Sequence, residues 1–328
     1  MPDKNASPSA FGWDFQANAA ILLMIENIKE ADKVRVEGKD EDIEITLKNK
    51  SKIYSQVKSV ARPDDYSNVI DKLEAALETL DLASANGDGC LFTYITNSPN
   101  PFNNQKTMSY FSGRTHLYYN ELPTSCQGKI QDIITKKGYI NIDVDKLDIR
   151  VIPFYGSDPK NRFKEIQSSV NELLSDLGIS VSGINTELLS VWQRDFFHNA
   201  TQVDTSIIID KKQLIWPLIV LVVDKTVANE YKKDFVDDDI EEIEGKYKML
   251  INQKTMLYEF FTRVISDHRR SKLSVREFVD ECWKNYMDIV ETVDADDGTR
   301  MCLIKIILYR ILTQRKCISE IRKGVNLI

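Results

Sequence analysis

The sequence predicts an α/β fold, a mixed sheet flanked by helices, followed by an all-helical C-terminal domain. Three observations predict it. Between residues 34 and 60, three short segments alternate apolar and polar residues and are separated by polar turns, the period-two signature of half-buried strands. Helical periodicity precedes and follows that cluster, and a β-branched and aromatic segment comes after the second helix. A helix between strands implies a crossover and a sheet of mixed direction. From about residue 225 onward the pattern is helical throughout.

Phe15 to Lys29 reads as an amphipathic helix with Asp14 as its N-cap, a residue type suited to the unpaired N–H groups of a first turn. Val34–Glu37, Asp42–Leu47 and Ile53–Val60 are the three strands, with Gly38-Lys39-Asp40 and Lys48-Asn49-Lys50 as turns. Tyr66 to Ala83 carries a helical stripe of Val69, Leu73, Leu77 and Leu80, ended by Asn86-Gly87-Asp88-Gly89. Cys90–Thr96 is the next strand and Asn97–Asn104 a loop; Leu147–Phe154 is a further strand, while residues 105 to 150 otherwise carry no clear pattern. Arg162–Leu177 and Thr186–Asn199 read as helices, and the apolar run Leu214–Val223, interrupted by Pro217, as a buried strand. Asp237–Glu244 is an acidic helix start, Ser274 and Glu277 form a capping box, and Tyr258, Phe260 and Phe261 sit at helical core spacing.

Composition narrows the class. A chain of 328 residues with 42% apolar and 28% charged residues is ordinary globular material and long enough for two domains, expected at 10–224 and 225–328. Met1 to Ala10 is polar and small, unlike a signal peptide, and the ten-residue apolar run is too short to span a bilayer. The five cysteines are scattered without a CxxC pair, which suits reduced thiols and a cytoplasmic protein. None of the three histidines lies at metal-ligand spacing from another, and no Gly-rich phosphate loop, GxSxG or Cys-His pair is present. A net charge of −7 counts against a nucleic-acid coat protein but leaves room for an enzyme with a local basic groove.

The chemistry is concentrated in Glu37, Asp42-Ile43-Glu44 and Gln56-Val57-Lys58. Side chains alternate along a strand, so Gln56 and Lys58 project from one side, and a strand that begins at Asp42 brings a carboxylate beside them. Mg²⁺ takes hard oxygen ligands and keeps several waters, so Asp42, Gln56 and the Val57 carbonyl form a candidate metal site. Lys58 is then placed to orient or deprotonate a metal-bound water and to stabilise charge on phosphorus. A QxK pair alone is commonplace on half-exposed strands; the weight rests on the conjunction of helix, acidic turn, Asp-led strand and QxK strand.

Gly12-Trp-Asp-Phe-Gln16, the apolar helix to Ile28, Glu37, Asp42-Ile43-Glu44 and Gln56-Val57-Lys58 together resemble the PD-(D/E)XK nuclease superfamily. More closely they resemble the double-stranded-DNA endonuclease effector domain of bacterial anti-phage systems, which occurs with CD-NTase signalling enzymes and, in related forms, in Lamassu and other ABC-ATPase-linked systems. The resemblance spans roughly residues 10 to 220, with Phe92–Asn97 as a continuing strand, and its specific motifs lie between 12 and 58. It implies a restriction-endonuclease-like sheet and Mg²⁺- or Mn²⁺-dependent cleavage of DNA. Asp42 matches the central metal-binding aspartate, Gln56 stands where many relatives have a second acid, as in the Mrr-like branch, and Lys58 matches the lysine. The first-helix acidic position matches Gln16 by the preceding aromatic; Glu26 on the same helix and Glu37 are the other two candidates.

The implied function is an endonuclease effector activated by a partner or by oligomerisation, since an unrestrained nuclease would destroy its host. The C-terminal helices are candidates for docking a regulator such as an SMC-like ATPase complex, or for self-association into a homo-oligomer. The alternative is a non-catalytic interaction subunit on a degenerate nuclease fold. Lys48, Lys50 and Lys52 with Lys160, Arg162 and Lys164 read first as solvated surface and second as the lining of a DNA groove. Arg269 and Arg270 beside His268 read as a surface turn, and Asp237-Asp238-Asp239 as a helix start and not a metal site.

Overall fold

The computed structural model describes residues 7–180, 182–233, 235–252 and 256–327; the stretch through residue 6, part of the segment expected not to be a leader, lies outside the described residues. The chain divides into two compact units, Met1–Leu173 with Leu189–Lys211 and Leu174–Leu188 with Lys212–Ile328.

The first unit is α/β. Helix α1 (Ser7–Glu26) leads into an antiparallel meander of β1 (Ala31–Val36), β2 (Ile43–Leu47) and β3 (Lys52–Lys58). Helix α2 (Val69–Ser84) then crosses over to β4 (Gly89–Thr96), which lies parallel to β3. The stretch from 105 to 150, without a clear pattern in sequence, supplies β5 (Thr115–Tyr118), α3 (Thr124–Lys137) and the first part of β6 (Leu147–Val151). Short α4 (Pro159–Arg162), α5 (Lys164–Asp176), α6 (Ile184–Ala200) and two-residue β7 (Ile209–Asp210) follow. The mixed sheet has seven strands in the order β5-β6-β4-β3-β2-β1-β7.

One face of the sheet is covered by α2 and α3, which enclose a core including Tyr54, Leu73, Leu77, Phe92, Tyr94, Ile130 and Ile149. Helix α1 packs on β1, β2 and β3. It does not have the amphipathic pattern expected: Phe15 through Met24 are all buried, as befits a helix enclosed on every side. Its outer side meets α6, where Gln193 Nε2 donates to Asn18 Oδ1 over 2.8 Å. Because α1 begins at Ser7, Asp14 is interior and not an N-cap. Its carboxylate accepts from Asn18 at 3.0 Å and from Arg162 at 3.2 Å.

Arg35 on β1, 4% exposed, fastens the end of α6 and the loop beyond it to the meander. Its guanidinium donates to the carbonyls of Asn199, Ile207 and Gln202 over 2.7–2.9 Å and to that of Glu37 at 3.1 Å. A buried cation satisfied by four carbonyls is a costly arrangement to replace piecemeal.

The second unit is helical. Leu214–Val223, expected as a strand, lies in helix α7 (Lys211–Asp224) with Pro217 inside it. The run is buried nearly all round, so its sequence shows no helical stripe, and a short apolar run without periodicity does not separate a buried helix from a buried strand. The boundary expected at 225 shifts with it: beyond Lys211, α7 belongs to the second unit, as does Leu174–Leu188. Helices α8 (Asp237–Ile251), α9 (Met256–Ser271), α10 (Val275–Cys282), α11 (Asp297–Thr313) and α12 (Arg315–Gly324) complete it. Asp237–Asp239 occupy the first turn of α8, and the Ser274–Glu277 capping box is formed. Tyr258, Phe260 and Phe261 are core. His268 is buried in the last turn of α9 and packs edge-on against Phe278, while Arg269 and Arg270 beside it are exposed, as expected, though on a helix and not in a turn. Among the described residues no helix is long and apolar enough to cross a membrane.

Candidate functional site

Strand β2 starts only at Ile43, so the hydrogen-bond ladder between β2 and β3 stops at the Ile43–Ser55 pair. Beyond it, the Asp42 carboxylate takes over as acceptor, receiving the Val57 N–H at 2.8 Å. N–H and C=O of one strand residue project toward the same neighbour, so the Val57 carbonyl faces the Asp42 edge. Lys58 Nζ lies 3.9 Å from Asp42 Oδ2. Residue types and register thus place a carboxylate, a main-chain carbonyl and an ammonium where the β2–β3 ladder ends, in the middle of the sheet.

The turn before β2 completes the acidic side. Glu37 N–H donates to the Asp42 carbonyl at 2.7 Å, and Gly38 N–H to the Glu41 carbonyl at 2.9 Å. Glu44 reaches back to accept from Asp40 N–H at 2.8 Å and Glu41 N–H at 3.4 Å. Gly38 lies close against Glu44: a Cβ there would force the Glu44 carboxylate to shift. Glu37 adopts a left-handed φ of 53°, an uncommon conformation for a non-glycine residue and a frequent mark of functional turns.

Gln16 from α1 donates to the Asp42 carbonyl at 3.2 Å and favours the charged form of Glu37. Gln16, Glu37, Asp42, Val57 and Lys58 line one cleft of about 640 Å³. Phe11 and Trp13 of α1 also line it, as do Ser59, Asp65, Asn68 and Lys72. The strand end is fixed by Asn97, fully buried, which exchanges hydrogen bonds of 2.6 and 2.8 Å with the Val60 main chain and donates to the Phe154 carbonyl at 3.0 Å.

Two of the sequence candidates stand elsewhere. Glu26 does not reach the cleft: at the far end of α1 it ion-pairs with Arg114 at 2.7 Å and, in a very short contact, with Arg150. Gln56, 3% exposed, sits behind the cleft. Its carbonyl oxygen accepts the Thr79 hydroxyl at 2.6 Å and its amide favours the charged form of Asp42, so as placed its side-chain oxygen is already engaged. The lysines at 48, 50, 52, 160 and 164 do not line the cleft either. Lys52 is held by Asp88 and the Tyr54 hydroxyl, and Arg162 stacks on Phe11 and Phe154.

Sequence reading missed Lys72, Thr79 and Glu41. Lys72 lines the cleft and donates a short hydrogen bond to the Ser59 carbonyl; burial, then the Lys58 charge, lower its pKa. Thr79 and Lys72 lie on α2, far from the motif in sequence, and nothing local marks them. Glu41 was visible beside Asp42. It is 5% exposed, has Oε2 3.3 Å from the Thr79 hydroxyl, and leaves Oε1 without a partner. Burial and the neighbouring Asp42 push its carboxyl up to about 8.

Burial also raises Asp42, against the pull of Lys58, the Val57 N–H and the Gln56 amide, and raises Glu37 with a smaller push from Asp42. Carboxylates raised by burial and mutual repulsion are those that gain most from a cation. Among the described residues no three His, Cys, Asp or Glu side chains form a ready-made metal cage. The oxygens of Asp42, Glu37 and Val57 are hard donors of the number Mg²⁺ accepts alongside its waters, so the residues present fit the expected Mg²⁺ or Mn²⁺. Compared with family models, curated proteins and solved structures, the chain has no match.

Proposed function

We propose that the chain is a metal-dependent DNA endonuclease of the PD-(D/E)XK kind, an effector subunit of bacterial anti-phage defence restrained until a partner or oligomerisation releases it. The observation that carries this reading is the gathering of Asp42, Glu37, the Val57 main chain and Lys58 around one cleft, with Lys58 Nζ 3.9 Å from Asp42. The element order α1-β1-β2-β3-α2-β4, with an antiparallel meander and a parallel crossover, supports the superfamily assignment.

Asp42, Glu37 and the Val57 carbonyl would hold Mg²⁺ or Mn²⁺, which supplies an acidified water and a polarised phosphoryl oxygen when bound. The Val57 N–H fixes the Asp42 carboxylate, and the Gln56 amide favours its charged form. Lys58 stabilises negative charge as it develops on the phosphate. The helical unit is the proposed docking element for a regulator such as an SMC-like ATPase complex.

The test is cleavage of plasmid and linear DNA with Mg²⁺ or Mn²⁺, at concentrations that drive assembly, for wild type, Lys58→Ala and Asp42→Ala. Cutting by the wild type that both substitutions abolish is the expected result; equal cutting by all three would overturn the site. The second reading, a non-catalytic interaction subunit, is favoured by the commitment of Glu26 to arginines and of Gln56 to Thr79. Absence of cutting with any metal and with copurified partners would select it.

A further inference from the structure

We infer that Trp13 and Phe197 form a stacking platform at the mouth of the cleft for an unpaired nucleobase, so the DNA strand that enters is locally single-stranded. This rests on the nuclease reading and specifies its substrate. Three observations carry it. Helix α1 buries Phe15 completely but leaves Trp13 40% exposed, and Phe197 on α6 is 47% exposed. Their ring centroids lie 6.3 Å apart at 57°, with the end of α6 held to β1 by the Arg35 hydrogen bonds and by Val36 N–H donating to Asn199 Oδ1 at 2.9 Å. The pair is therefore anchored by its backbone, unlike a side chain on a free loop.

Second, Trp13 belongs to the same cleft as Asp42 and Lys58. Its wall also carries Phe11, over which the Arg162 guanidinium lies at 5.4 Å. Aromatic rings and a planar guanidinium are the surfaces on which bases stack. Lys58 and Lys72 line the same cleft and supply cations for phosphate. Third, the cleft volume of about 640 Å³ is that of a small-ligand pocket. It suits a short stretch of one strand, whereas a duplex keeps its base faces inside its own stack. A base reaches Trp13 only if the duplex is frayed, nicked or opened, as in enzymes that take a nucleotide out of the helix.

The experiment measures anisotropy of fluorescein-labelled DNA in EDTA, so that nothing is cut. The probes are a single strand, the blunt duplex of the same sequence, and that duplex with a frayed end. Wild type should bind the single strand and the frayed duplex about tenfold more tightly than the blunt duplex, the size expected for one stacked base. Trp13→Ala and Phe197→Ala should each erase most of that preference, Trp13→Phe should retain it, and far-UV melting should show all variants folded. An unchanged preference in Trp13→Ala and Phe197→Ala overturns the platform, while Lys58-dependent cutting would leave the nuclease reading standing. If wild type binds none of the probes and cuts nothing with any metal and with copurified partners, both fall. If both alanine variants bind DNA as wild type does and instead lose self-association by light scattering, the pair is a protein interface and the proposal is overturned.

Discussion

The Thr79 hydroxyl on α2 donates to the Gln56 side-chain oxygen on β3 at 2.6 Å, and the Gln56 amide favours the charged form of Asp42. A hydroxyl has one hydrogen to give, and the short contact assigns it to Gln56. Thr79 thereby sets the orientation of the amide that favours the charged Asp42. Outer-shell partners of this kind typically change metal affinity or activity by 10- to 100-fold. Thr79→Val should weaken Mn²⁺ binding, measured by calorimetry, by about tenfold. Thr79→Ser should restore it, with both variants melting near wild type.

Glu26 gives the opposite expectation. It is tied to Arg114 and Arg150, and the Arg150 side chain is only 6% exposed. Glu26→Ala leaves Arg150 with Asp148 alone, 3.0 Å away. Because Glu26 is itself partly exposed, the loss should be less than that of a fully buried pair, about 1–3 kcal/mol in urea unfolding. Cutting per folded molecule should stay at the wild-type level, and a loss of cutting with intact stability would return Glu26 to the site.

Glu41 makes a prediction about pH. Its carboxyl is raised from 4.5 to about 8 by burial, so the folded protein holds that proton more tightly than the unfolded chain does. The associated stability is complete below about pH 4.5 and drains away as pH rises toward 8. Metal-free wild type should lose stability across that window at up to about 1.4 kcal/mol per pH unit from this group. Glu41→Gln, neutral at every pH, should flatten the difference between denaturant midpoints taken near the two ends of the window. A parallel decline in both proteins would assign the proton elsewhere.

Gly38→Ala should displace the Glu44 carboxylate that organises the Asp40 and Glu41 main chain. Because Glu44 is flexible, unfolding should cost only about 1 kcal/mol. Cutting should fall several-fold, since the same turn sets Glu37 and Asp42. Normal cutting would show that the turn tolerates a wider approach.

The sequence by itself determined the helix–meander–helix–strand order of the first unit, the helical second unit, and the registration of Asp42, Val57 and Lys58. Those features depend on period-two and period-3.6 patterns and on neighbours within a hairpin, which are local. Only the tertiary structure decided which oxygens are free. Glu26 and Gln56 carry the right atoms, but Arg114, Arg150 and Thr79, from remote elements, occupy them. It also decided that Leu214–Val223 is a helix, because burial on all sides erases the periodicity by which a helix is read. Lys72 enters the cleft for the same kind of reason: the α2 crossover, a packing event between distant residues, brings it there.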